Sequence, residues 1–160
     1  MKKRVLFVIL AVILITLVFT PKLLSHCEIP CGIYDDEMRI KMIKEHITTV
    51  EKAMNEIKRL KGEEDKNYNQ LVRWINNKEY HAESLQEIVY QYFMTQRVQP
   101  VMEENTEEYK EYVTKITLLH KMLFYAMKTK QTTDLENISK LRSIVEDFSK
   151  VYFEEHGHTH

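Results

Sequence analysis

Apolar residues recur in alternating steps of three and four along most of this 160-residue chain. One series is Ile40, Ile43, Ile47, Val50, Met54 and Ile57. Another is Tyr109, Tyr112, Ile116, Leu119, Leu123 and Ala126, and a third is Ile138, Leu141, Val145, Phe148 and Tyr152. An α-helix turns once in 3.6 residues, so each series makes one apolar stripe along a helix, whereas a half-buried strand would alternate by two. A further series, Tyr68, Leu71, Ile75, Lys78, Ala82, Leu85, Val89 and Tyr92, runs unbroken through Asn76 and Asn77. It predicts one long helix with Lys78 as the only charge on its seam. With 3 Gly and 3 Pro in the whole chain, there are few places to turn. The expectation is an all-α fold, a mostly up-down four-helix bundle over residues 36–155 preceded by an N-terminal metal-binding hook and followed by a His-containing tail at 156–160.

Local chemistry sets the expected helix ends. Asp35 or Asp36 can cap the first helix, and Gly62 can end it behind Lys58, Arg59 and Lys61. Asp65 can start the second, and Pro100 closes the region after it. Thr106 can cap the third, and Thr133 with Glu136 fits a capping box for the fourth.

Ahead of the bundle lies "MKKRVLFVILAVILITLVFTPKLLS". Lys2, Lys3 and Arg4 precede an apolar run from Val5 to Phe19, then Pro21 and the small residue Ser25. This is the order of a secretory signal, expected over residues 1–25. Fifteen residues of helix rise only about 22 Å, short of a membrane's hydrocarbon core. The competing reading is an uncleaved anchor, because Leu23 is a poorer cleavage residue than alanine; membrane contact would then come through the leader alone. The chain is expected outside the cytoplasm, secreted or periplasmic. Removing residues 1–25 takes away four basic residues and no acid, leaving 19 basic against 24 acidic side chains. Such an acidic body is a poor nucleic-acid binder.

Both cysteines of the chain follow the leader at once, in "HCEIPCGIYD", His26–Asp35. Thiolates are soft ligands, and imidazole suits nickel, copper and zinc. Cys27 and Cys31 are close enough in sequence for both sulfurs to reach one ion, with Pro30 stiffening the loop and Gly32 letting the backbone turn. A cut before His26 would add the new α-amine and the Cys27 amide nitrogen. Amine, amide and two thiolates form a tetragonal donor set, which favours nickel or copper over tetrahedral zinc. A plain disulfide between Cys27 and Cys31 is the other reading in an exported protein.

These ten residues resemble the nickel hook of nickel-containing superoxide dismutases, His-Cys-x-x-Pro-Cys-Gly-x-Tyr-Asp, at every fixed position. Arg73–Ala82, "RWINNKEYHA", is similar to an Arg-x-x-x-x-Lys-Glu-x-x-Ala stretch of the family's second helix. The resemblance implies a homohexamer that converts superoxide to dioxygen and hydrogen peroxide by cycling nickel between its divalent and trivalent states. Carried onto this sequence, His26, Cys27 and Cys31 are the metal ligands, and Tyr34 stands over the open face. The family also supports its axial histidine with a carboxylate and an arginine. The matching positions here hold Lys41 and His81, with Glu37, Glu45 or Glu79 as candidate substitutes. The alternative function is an exported nickel- or copper-delivery protein using the same hook without turnover, and a third reading is a structural bundle with a terminal disulfide.

Overall fold

The computed structural model of the chain describes residues 32–104 and 106–156. The leader, His26, Cys27, Cys31 and residues 157–160 lie outside the described residues. The chain divides between Tyr34 and Asp35 into two units. Of the first, the described residues are Gly32, Ile33 and Tyr34. Gly32 has φ of 72°, in the left-handed region that glycine enters without steric cost, so the backbone does turn there as its sequence position suggests.

The second unit is a bundle of four helices, α1 (Asp36–Gly62), α2 (Tyr68–Glu87), α3 (Glu107–Gln131) and α4 (Glu136–His156), with no strand among the described residues. A π-helical segment, Ile88–Arg97, continues α2 without a break. The fold is therefore all-α, as the apolar periodicity predicts, and α4 runs one residue past the expected limit of 155. Pairings across the bundle fix its topology. Asp36, Lys44 and Glu51 of α1 meet Tyr152, Glu146 and Arg142 of α4 in that order, so the two helices are antiparallel. Lys78 and Gln86 of α2 meet Thr129 and Leu123 of α3 in the same inverted sense. No helix of the described residues is long and apolar enough to cross a membrane.

The stripes of α1 and α4 are buried along their whole length. In α2 the stripe is buried from Lys78 onward, but Tyr68 is 67% exposed and Ile75 39%. A strict seven-residue repeat drifts by roughly 20° per heptad on a straight helix, so the three heptads between Val89 and Tyr68 carry the N-terminal end off the core face. Phe93, Phe148 and Tyr152 form an aromatic cluster within the core, with ring centroids 5.2–5.5 Å apart.

Two of the four helix starts follow the sequence expectation and two are shifted. The Asp35 carboxylate accepts the Met38 N–H at 2.9 Å, and Thr106 Oγ1 accepts the Tyr109 N–H at 3.1 Å, both as their positions suggest. The cap of α2 is Asn67 rather than Asp65; its side chain accepts the Gln70 N–H at 3.1 Å. Before α4, the Asp134 carboxylate rather than the Thr133 side chain takes the Glu136 N–H, at 3.0 Å. An Asn directly before α2 and an Asp two residues before the start of α4 are nearer the first turn than the residues named from spacing, and so reach its free N–H groups first. Lys78, the charge on the seam of α2, is 4% exposed. Its ammonium donates to the Thr129 carbonyl at 2.8 Å, to the Lys130 carbonyl, and to Glu79 at 2.9 Å. It thus satisfies carbonyls left over at the C-terminus of α3 and complements that end of its dipole.

Candidate functional site

The hook segment joins the bundle at Asp35, and that junction is held by side chains from three other places in the chain. Asp36, the first residue of α1, points its carboxylate into the bundle. Tyr92 donates its hydroxyl to Oδ1 at 2.5 Å, and Tyr152 donates to Oδ2 at 2.8 Å. Arg97 forms a fork, Nη2 to Oδ2 at 2.7 Å and Nε to Oδ1 at 2.9 Å. The Tyr92 oxygen also accepts the backbone N–H of Asp35 at 3.0 Å, and the Arg39 guanidinium lies 4.9 Å from the centre of the Tyr92 ring.

The electrostatics of this cluster are self-consistent. Burial pushes the Asp36 carboxyl up, but the hydrogen bonds from Arg97, Tyr92 and Tyr152 outweigh it and hold the group below its ordinary value. Burial and the Asp36 charge raise both tyrosines, which therefore stay protonated as donors. The hydrogen bond to Asp36 raises Arg97 further, keeping it charged. A cleft of about 310 Å³ opens beside Arg97 and Tyr152 and is also lined by Tyr112 and Lys115. Lys115 is 7% exposed, and burial lowers its pKa.

The π-helical segment makes the cluster possible. In an α-helix, residues five apart point about 140° away from each other. Bonding from i to i+5 brings such residues back toward one face. Tyr92 and Arg97 are five apart, and both reach the same carboxylate. The Val98 N–H bonds the Phe93 carbonyl at 2.8 Å, while Thr95 Oγ1 and Gln96 Nε2 bond the carbonyls of Tyr90 and Gln91. No sequence period announces this segment. Its signal is indirect: two side-chain donors, Thr95 and Gln96, lie five residues after the carbonyls they serve.

The other positions named from the sequence fall out as follows. Lys41, Glu37 and Glu45 are exposed on α1. Glu79 is engaged by Lys78 and lies 3.8 Å from Lys130. His81 meets His46 of α1, Nδ1 to Nδ1, at 2.9 Å. Burial, then the neighbouring His81, lower the His46 pKa against the opposing pull of Glu45. Tyr34 is the one proposed site residue among those described, and it belongs to the first unit.

The family model of nickel-containing superoxide dismutase matches residues 21–156, which takes in the hook segment and nearly the whole bundle. The chain belongs to the nickel-containing superoxide dismutase family. The activity that goes with this membership is that of an oxidoreductase acting on superoxide, and the metal is nickel. No curated protein and no solved structure matches the chain. The Asp36 cluster lies at the start of α1, directly after the hook segment in sequence.

Proposed function

We propose that this chain is an exported nickel superoxide dismutase whose metal is held by the mature N-terminus His26-Cys27 together with Cys31. The observation that carries this is the coincidence of a family match over residues 21–156 with every fixed position of the hook pattern in His26–Asp35. The donor set fits the metal. Two thiolates, an amine, an amide nitrogen and an imidazole suit nickel in tetragonal surroundings and suit magnesium, calcium or manganese poorly. When bound, nickel supplies a one-electron couple through which one superoxide is oxidised to dioxygen and a second is reduced to peroxide.

The residues of the chain supply the rest. The His26 α-amine deprotonates more easily than a lysine, so it can act as a ligand near neutral pH. The two anionic sulfurs donate electron density that favours the higher oxidation state. The Tyr34 hydroxyl holds or passes a proton, and each pair of superoxide ions consumes two protons on the way to hydrogen peroxide. Metal ligation protects Cys27 and Cys31 from oxidation by that product. The order of basic start, apolar run and small exit residue supports export and removal of residues 1–25. A homo-oligomer, hexameric by family resemblance, is supported by the exposed Tyr68, Val72 and Ile75 on one face of α2.

The test is N-terminal sequencing of the mature protein from its host, with metal analysis and superoxide turnover. The expected result is a chain starting at His26 with one nickel per chain and activity lost in Cys27→Ser. Nickel binding without turnover would mark a delivery protein, and a chain that retains its leader would overturn the assignment of the amine.

A further inference from the structure

The His46–His81 pair lies in the second unit and is not used by the proposed hook chemistry. His46 sits on α1 and His81 on α2, both half-buried, with ring centroids 5.1 Å apart and planes tilted by 49°. Their Nδ1 atoms are 2.9 Å apart. Two donors bound at right angles to one square-planar or octahedral ion, each roughly 2.0–2.1 Å from it, also lie about 2.9 Å apart, against about 3.3 Å around a tetrahedral one. The same separation therefore serves either a shared proton or a shared metal ion.

We infer that His46 and His81 form a second, exchangeable site for a late divalent transition metal, clipping α1 to α2. Two neutral imidazoles are ligands of the kind that nickel, copper and zinc take, and copper should bind tightest. Burial and the closeness of the two rings favour the neutral form of His46, and Glu45 adds a negative charge beside it. Binding requires each Nδ1 to present a lone pair. The proton between the rings passes to Nε2 of its own ring, so no net proton is released from a neutral pair, and both rings turn until the lone pairs converge. Among the described residues no group of three or more His, Cys, Asp or Glu is placed to hold an ion. Water completes the coordination, which makes the site open and exchangeable rather than closed and structural.

The pair can be isolated from the hook in the full chain carrying Cys27→Ser and Cys31→Ser. Cu(II) binding by equilibrium dialysis, with the copper spin-resonance spectrum, should show one fewer ion per chain when His46→Gln and His81→Gln are added; the C-terminal histidines contribute equally to both. Copper should raise the Tm of the chain that keeps the pair and should raise it less without the pair. Equal stoichiometry and equal shifts would overturn the inference. A second measurement needs no substitution at the pair. Zn(II) added to the chain with an intact pair should move the Nδ1 nitrogen resonances of His46 and His81 together, and resonances that stay in place would equally refute the site.

Discussion

Asp36 and Arg97 lie 61 residues apart in sequence, and in the fold the Nε–Nη2 edge of the guanidinium forks onto both carboxylate oxygens, with nitrogen–oxygen distances of 2.7 and 2.9 Å. Their side chains are 12% and 23% exposed. A pair this sheltered behaves unlike a surface ion pair. Removing one partner strands the other, whereas exposed pairs contribute little.

Asp36→Asn should therefore lower the unfolding free energy by about 2–4 kcal/mol, because the amide cannot accept from Arg97, Tyr92 and Tyr152 as the carboxylate does. Urea denaturation of nickel-free protein measures this. An effect below half a kcal/mol would show that the cluster is ornamental to stability.

The same carboxyl sets an acid limit. Its folded pKa lies below the ordinary value of 3.8. Its contribution is thus complete above that value and disappears as the pH falls through the lower folded pKa. The wild-type Tm should drop more steeply than that of Asp36→Asn as the pH is lowered from about 4. Parallel Tm profiles would contradict the assigned direction.

Tyr92→Phe removes one donor to Asp36 and the acceptor of the Asp35 N–H. A stability loss of about 1–3 kcal/mol is expected, together with faster loss of nickel to a chelator, because the root of the hook segment is less constrained. The chelation rate separates this from a purely structural role, since Tyr152→Phe spares the Asp35 contact and should leave that rate nearer wild type.

Lys78→Met leaves carbonyls of Thr129 and Lys130 without their donor. The expected cost is about 1–3 kcal/mol, with superoxide turnover and its salt dependence unchanged. A fall in turnover that vanishes at high ionic strength would instead assign Lys78 to steering the anion.

Cys31→Ser should abolish nickel retention and leave the melting of the bundle as it was, since the hook and the bundle are separate units of the chain. Circular dichroism at the helical band follows the second point, and metal analysis follows the first.

The sequence made the fold readable where the cause is local. Ile40 to Ile57 and Ile138 to Tyr152 are spaced for a helix, and burial follows that spacing residue by residue. It was less readable where the cause is cumulative or distant. Tyr68 and Ile75 keep the rhythm of their helix yet drift off the core face. Lys78 looked like a misplaced charge because the carbonyls that bind it come from α3. The hook motif could be read from ten consecutive residues, but its anchor could not. Asp36 finds its partners 56, 61 and 116 residues away. The position matched to the family's supporting arginine is His81, and nothing in its own segment indicates that it pairs with His46.

The five-residue winding of Ile88–Arg97 has an evolutionary corollary. Excising a single residue between Tyr92 and Arg97 would let the coil tighten to ordinary pitch while staying helical, and would leave the tyrosine and the arginine four apart, about 40° from each other on one side of the helix. The guanidinium would stay on the side that meets its carboxylate. The wide winding thus absorbs one surplus residue, and a chain one residue shorter there could keep the same contacts in an ordinary α-helix.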